Sequence, residues 1–106
     1  MNTKVKIYQI RRDLSNFGDL YTNNLAYLQR IIDFRHDLNQ YYREMYDFED
    51  NFEGMTKDEI LDTIDNRFRF NLPDDFKGPA LQISDIIGLD DELWFKDSYG
   101  YIQVGD

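Results

Sequence analysis

Acidic side chains are the most numerous residues in this chain that could do chemistry, because Asp and Glu together number 21 among 106 residues. A calcium-binding loop places oxygen ligands at alternate positions, a glycine at the sixth and a bidentate glutamate at the twelfth. A loop starting at Asp47 has Phe52 at its sixth position, and one starting at Glu49 has Ile60 at its twelfth. Both registers exclude an EF-hand, and no pair of carboxylates stands out for acid–base work.

No catalytic nucleophile and no cofactor motif stands out in the sequence. The chain has no cysteine, and its single histidine, His36, lies between Arg35 and Asp37, as expected of a surface residue rather than a catalytic base. The six glycines are scattered and form no phosphate-binding loop. The sequence therefore predicts a protein that is not an enzyme, with no catalytic, cofactor-binding or metal-binding residues.

The charge is unevenly distributed along the chain. Residues 1–43 contain seven basic and four acidic residues, whereas residues 44–106 contain five and seventeen, and the net charge is −9. Such acidity argues against direct nucleic-acid binding, which depends on Lys and Arg that neutralise phosphates. The expected partner is instead a protein with a basic surface.

The acidic residues are densest between positions 47 and 65, and two interpretations of them remain open. Many are expected to cap helices, form turns or face solvent. Alternatively, they form a continuous negative surface that a basic partner recognises as it would recognise phosphates, with exposed tyrosines as anchors. The candidate partner-binding residues are Asp47, Glu49, Asp50, Glu53, Asp58, Glu59, Asp62, Tyr42 and Tyr46.

The composition predicts one small cytoplasmic domain. Aromatic residues make up 16% of the chain, too many for a disordered segment of this charge. No run approaches the roughly 20 apolar residues of a membrane span, so no contact with a membrane is expected. The first residues contain no apolar signal-peptide region, and the lack of cysteine fits a reducing compartment.

The first half of the chain shows two predicted elements and one ambiguous stretch. Alternating residues predict a strand over 3–10, and cap residues at 22–24 precede apolar residues at helical spacing. The stretch 41–48 fits two structures. Its apolar residues follow helical intervals of three and four, yet its aromatic content is equally typical of a strand.

The second half reads more clearly. Thr56 and Glu59 have the spacing of a capping box, and the apolar residues that follow predict a helix over about 57–68. A buried strand is then expected at 83–89, followed by two further strands at 92–96 and 99–104, with polar turns between them.

Two motifs in this second half resemble those of the YodL-like domain family. The first runs from Phe70 to Ile87 and contains Phe-Asn, Pro-Asp-Asp-Phe-Lys-Gly and Leu-Gln-Ile-Ser-Asp. The second runs from Trp94 to Tyr101 and reads Trp-Phe-Lys-Asp-Ser-Tyr-Gly-Tyr. The family commonly has Gly-His-Ser where this chain has Gly78-Pro79-Ala80, so no role of that His or Ser carries over.

The resemblance implies that residues 41–48 form a strand and that the first helix ends near residue 36. The expected fold is α+β. It is a small single domain over residues 1–106, with two helices packed on an antiparallel sheet and a C-terminal three-stranded meander. The motif residues are expected to shape turns and strand starts rather than to react. They are Phe76, Gly78, Ser84, Asp85, Asp97, Ser98 and Gly100.

The resemblance also implies a setting for the function. Members of this family are bacterial, are often carried on mobile genetic elements, and have no established enzymatic activity. The expectation is therefore a non-enzymatic protein that binds and modulates or inhibits a host protein. One form of it is nucleic-acid mimicry against a defence nuclease, of the anti-CRISPR or anti-restriction type. The alternative, from the named family member, is a cell-shape regulator that acts on an actin-like filament protein.

Overall fold

The computed structural model describes residues 2–105 of the chain. The strands are β1 (Thr3–Ile10), β2 (Tyr42–Asp50), β3 (Ile86–Leu89), β4 (Glu92–Asp97) and β5 (Gly100–Val104). The helices are α1 (Phe17–Leu20), α2 (Leu25–Leu28), α3 (Leu38–Tyr41) and α4 (Lys57–Phe70). All strand pairs are antiparallel, and they form one sheet in the order β2-β1-β3-β4-β5.

The long helix α4 covers one face of this sheet, which we call the α4 face. Its capping box is present as predicted, because Glu59 N–H donates to Thr56 Oγ1 and Thr56 N–H donates to Glu59 Oε1. Behind this cap the buried residues of α4 pack against alternate residues of β1 and β3. The members of this core are Val5, Ile7, Phe52, Leu61, Ile64, Phe68, Phe76, Leu81, Ile87 and Leu89.

The segment between β1 and β2 covers part of the other face, which we call the opposite face. It contains α1, α2 and α3, each of only four residues. Its apolar side chains meet those of β1, β3, β4 and β5 that point away from α4. The core members here are Ile10, Leu20, Leu25, Leu28, Ile32, Phe34, Tyr42, Ile86, Phe95 and Val104.

The predicted first helix is wrong in length. It begins where expected, since Asn24 caps it by accepting the Tyr27 N–H at 2.9 Å, but it ends at Leu28 rather than near residue 36. Further along, Asp33 accepts the N–H of Arg35, and this local bond supports a turn in place of helix. Two helices packed on the sheet are therefore not confirmed, because among residues 2–105 α4 alone is longer than one turn.

The other predicted elements agree with the structure more closely. The ambiguous stretch is the strand β2, so the helical interpretation of 41–48 is wrong. The C-terminal meander is confirmed, since β3 pairs with β4 and β4 with β5. The strand predicted from residue 83 begins only at Ile86, because Ser84 has a φ of 87° that a strand cannot continue through. No helix in the described part of the chain is long and apolar enough to cross a membrane.

Candidate partner-binding surface

One end of the sheet gathers acidic residues from segments that are distant in sequence. At this end β1 begins, β2 finishes and the β3–β4 turn lies beside them, since Thr3 pairs with Asp50 and Val5 with Leu89. The first turn of α4 reaches the same place, because Lys57 bonds Glu92. We call this surface the acidic end. Its members are Asp50, Glu53, Asp58, Asp90, Asp91 and Glu92.

Two lysines contact carboxylates at the acidic end, Lys57 through its ammonium group and Lys4 through its backbone N–H. Lys57 Nζ contacts Glu92 Oε1 and lies 5.8 Å from the centre of the Trp94 ring. This hydrogen bond from Lys57 holds the pKa of Glu92 below its usual range. Lys4 lies opposite Glu49 in the ladder, and its backbone N–H donates to Asp90 at 3.0 Å. The remaining carboxylates leave the acidic end with a negative potential.

Asp47 and Glu49 do not belong to the same surface as the α4 carboxylates. Tyr46 and Phe48 of β2 pack on the α4 face, so the residues that alternate with them point to the opposite face. There Asp47 is the ladder partner of Lys6, whose ammonium also lies 3.2 Å from Glu44. Of the two open interpretations, the one continuous negative surface is therefore wrong. Strand alternation divides these acids between two faces, and Lys4 and Lys6 are the ladder partners of Glu49 and Asp47.

The α4 acids also have separate roles. Glu59 closes the capping box, and the hydrogen bond from the Thr56 N–H lowers the pKa of its carboxyl. Asp58 is exposed in the first turn, where a negative charge favours the helix dipole. Asp62 is exposed one turn later and lines a cleft towards β5. Of these three predicted residues, Asp58 is the one that the structure places at the acidic end.

The two candidate tyrosines are not exposed anchors. Tyr42 is 3% exposed, and its hydroxyl donates to the Ser84 carbonyl at 2.6 Å inside the core of the opposite face. Tyr46 is half-buried on the α4 face and donates to Asp75 at 2.8 Å. The expectation of exposed tyrosine contacts is therefore wrong for Tyr42, because its ring is needed in the core.

Ser84 and Asp85 form a buried polar group, as their predicted structural role requires. Both are fully buried. Asp85 Oδ2 accepts the Gln82 N–H at 2.8 Å and the side-chain amide of Gln9 at 3.0 Å, and Ser84 Oγ accepts the Thr22 N–H at 3.0 Å. Burial raises the pKa of Asp85 to about 7 despite these bonds. The group ties the start of β3 to β1 and to the covering segment of the opposite face.

A second polar group holds α4 to the C-terminal hairpin, and sequence reasoning missed it. Asp65 is 8% exposed and accepts hydrogen bonds from Lys96, from Tyr101 at 2.6 Å and from Arg69 at 3.3 Å. The sequence pattern could have indicated this group, because Asp65 lies next to Ile64 on the apolar stripe of α4. A carboxylate at such a position needs hydrogen-bond or charged partners. These side chains position β4 and β5 against the helix.

The turn between β4 and β5 agrees with its predicted role. Ser98 N–H donates to Asp97 Oδ1 at 2.8 Å, and Gly100 has a φ of 135°, which other residues rarely adopt. Between them Tyr99 is fully exposed. Asp97, Ser98 and Gly100 thus shape the hairpin and leave an aromatic ring at its tip.

Gly78 lies where its neighbours leave no room for a side chain. A Cβ there would be 2.4 Å from Gln9 Oε1 and 3.0 Å from the ring of Phe76. We expect Gly78→Ala to lower the free energy of unfolding by about 1–3 kcal/mol, measured by urea denaturation, because the buried amide must shift. Gly18→Ala is the control, since its Cβ would meet nothing within 4 Å. Equal effects of the two changes would contradict the crowding.

Within residues 2–105, no group of three or more His, Asp or Glu side chains is arranged to hold a metal ion. His36 is exposed and lies 2.8 Å from Asp33, whose hydrogen bond raises the pKa of the imidazole. This pair lies on the surface of the covering segment, away from both buried polar groups.

Comparison with known proteins covers nearly the whole chain. The model of the YodL-like domain family matches residues 4–106. The match includes β1 and β2 as well as the C-terminal motifs that resembled the family. No curated protein and no solved structure matches the chain. Because the family model matches nearly the whole sequence, this chain belongs to the YodL-like domain family.

Proposed function

We propose that this protein is a binding protein rather than an enzyme, and that its acidic end docks on a basic surface of a partner protein. The supporting observation is the gathering of carboxylates from β2, from the loop before α4, from the first turn of α4 and from the β3–β4 turn. Charges brought together in this way steer association and select partners of opposite charge.

The partner class that we favour is a bacterial nucleic-acid-binding protein, such as a defence nuclease. Such proteins line their grooves with Lys and Arg to neutralise phosphates. The carboxylates of the acidic end would occupy part of that groove and so exclude the nucleic acid. An actin-like filament protein is the alternative partner. If it is captured instead of a nucleic-acid-binding protein, nucleic-acid mimicry is contradicted and the alternative is favoured.

Charge reversal at the acidic end is expected to abolish capture of the partner. The variant carries Glu53→Lys, Asp58→Lys and Asp91→Lys, all at exposed positions. The tagged wild-type protein and this variant are compared by pull-down from a bacterial lysate with mass spectrometry. We expect the variant to bind the captured partner at least ~10-fold more weakly than the wild type does. Binding by the wild type is expected to weaken steeply with added salt.

The matched control carries Asp19→Lys, Asp37→Lys and Asp74→Lys. It changes the net charge by the same amount, and none of its three carboxylates forms an ion pair within the described residues. If both variants lose the partner equally, total charge rather than the acidic end is responsible. Competition by duplex DNA then tests mimicry, because a partner that binds the protein and DNA together contradicts it.

A further inference from the structure

β5 is an open edge of the sheet, and the backbone of Tyr101 faces outward from it. Lys96 directs both backbone groups away from β5, donating to the Asp85 carbonyl at 2.9 Å and accepting the Ser84 N–H at 3.0 Å. The backbone groups of neighbouring residues in an antiparallel strand bond to opposite sides. The N–H and C=O of Phe95 are therefore directed to β5, and those of its ladder partner Ile102 are directed back to β4. Tyr101 therefore directs its N–H and C=O to the side where the described residues place no further strand.

The side chains of β5 leave this edge unprotected. Sheet edges are usually blunted by charged residues, proline or bulges. Residues 98–105 contain no charged side chain and no proline, and Ile102 is 45% exposed. The other edge strand, β2, differs, since it carries exposed Glu44, Asp47 and Glu49 and a register shift opposite Ile7 and Tyr8.

A cleft borders β5 on each face of the sheet. On the α4 face a cleft of about 610 Å³ lies between α4 and the hairpin and is lined by Asp62, Arg69 and Tyr101 among others. On the opposite face a cleft of about 680 Å³ lies between residues 29–37 and the end of β5. A strand added beside β5 would direct alternate side chains towards the two clefts, an arrangement that gives edge-binding domains their specificity.

The charges of the α4-face cleft select the occupant. Its carboxylates, Asp62, Asp65 and Asp97, outnumber its cations, Arg69 and Lys96. Asp65 uses both cations, and neither Asp62 nor Asp97 forms an ion pair within residues 2–105. A basic side chain from a partner would balance the excess negative charge of this cleft. A second copy of the chain is the poorer occupant, because two molecules of net charge −9 repel each other.

We propose that β5 binds an extended segment of a partner protein as a sixth strand, with one basic side chain entering the α4-face cleft and uncharged side chains beside Ile102. Backbone hydrogen bonds to Tyr101 supply the docking, and the cleft supplies selectivity. This surface is separate from the acidic end, since the cleft adjoins the β4–β5 turn whereas the acidic end adjoins the β3–β4 turn.

The test uses an acetylated and amidated peptide in which threonine and valine alternate around one central arginine. Amide hydrogen exchange and titration by NMR follow its binding at about 1 mM peptide and about 0.15 M salt. We expect slowed exchange at Tyr101 and its β5 neighbours. A peptide with glutamate in place of arginine is expected to bind at least ~10-fold more weakly.

Variants locate the binding. Ile102→Lys places a charge in the edge and is expected to weaken the arginine peptide at least ~10-fold, while Leu72→Lys, at a side chain 37% exposed outside the sheet, leaves it unchanged. Asp62→Asn, a change at an exposed helix position, is expected to reduce the preference for arginine over glutamate. Binding that survives Ile102→Lys, or the absence of protection in β5, overturns the proposal.

Two further outcomes separate this proposal from its alternatives. The acidic-end variant with Glu53→Lys, Asp58→Lys and Asp91→Lys is expected to bind the peptide as the wild type does. The β5 proposal therefore stands even if the acidic end proves not to be a docking surface. If that variant loses the peptide, the acidic end holds the arginine and the β5 proposal is wrong. Protection of β5 that depends on protein concentration without peptide identifies a second copy as the occupant and also overturns it.

Discussion

Phe68→Ala is expected to lower the free energy of unfolding by about 3–5 kcal/mol, measured by urea denaturation. Phe68 is fully buried on α4 and is surrounded by three aromatic rings. The ring centres of Tyr46, Phe48 and Phe76 lie 5.7, 5.9 and 5.4 Å from its own. Truncation removes these contacts and leaves a cavity between α4, β2 and the loop after α4. These three elements are packed elsewhere and cannot all shift to fill it.

Phe70→Ala is the matched control, two residues further along the same helix. Phe70 is 73% exposed, and its ring contacts the Arg69 guanidinium at 4.8 Å. The change removes the same atoms and makes the same alteration in helix propensity, so we expect a loss below about 1 kcal/mol. Equal losses for the two variants would show that the aromatic cluster does not hold α4 to the sheet.

Asp85→Asn is expected to remove a pH dependence of stability between about pH 4 and pH 7. Burial raises the pKa of Asp85 in the folded protein to about 7, above its unfolded value of 3.8. The folded state therefore binds the proton more tightly, and the stability that this contributes is complete below pH 4 and is lost as the pH rises through 7. The raised pKa corresponds to a few kcal/mol.

The measurement is the difference in unfolding free energy between Asp85→Asn and wild type in urea at several pH values. Asparagine keeps the acceptor for Gln82 and Gln9 and cannot ionise, so the variant is expected to gain on wild type as the pH rises from 4 to 8. A difference that does not change with pH would contradict a neutral Asp85.

Asp65→Asn provides a control of opposite sign. Burial alone would raise the pKa of Asp65, but the hydrogen bonds from Lys96 and Tyr101 outweigh it and hold the pKa below its usual value. The stability that this carboxylate contributes is therefore present above its unfolded pKa and is lost as the pH falls. Asp65→Asn is expected to be most destabilising at neutral pH, where Asp85→Asn is least so.

The elements that sequence reasoning predicted well are those stabilised by neighbouring residues. The cap of Thr56 and Glu59 and the apolar spacing behind it predicted α4 to within two residues at its C-terminal end. Alternation predicted β1, and turn residues such as Asp97 and Gly100 predicted the last hairpin. In each case the decisive contacts lie within a few positions of one another.

The segment between β1 and β2 could not be predicted in the same way. Its helices are single turns, too short to be stable alone, and their form depends on packing against β3, β4 and β5. Tyr42 shows the same dependence. Its place just before the acidic residues that begin at Glu44 suggested an exposed contact. The sheet instead directs it into the core, where its hydroxyl donates to the Ser84 carbonyl.

The candidate surface was predicted in part. Asp50, Glu53 and Asp58 lie at the acidic end, whereas strand alternation carries Asp47 to the other side of the sheet opposite Lys6. Asp90 and Asp91 lie in one of the predicted polar turns, and only the register of β3 against β1 brings them and Glu92 beside the others. Charge counted along the chain cannot reveal this, because neighbours in space are set by strand pairing.

The sequence by itself determined the family, the acidity, the capped helix and the C-terminal meander, since each depends on local pattern or on motifs that survive as strings of residues. Only the tertiary structure decided which carboxylates form one surface, which side chains bond Asp65 and Asp85 in the interior, and that β5 is an open edge between two clefts. These features depend on contacts between residues far apart in the chain. The strand order creates those contacts, and no local sequence pattern predicts it.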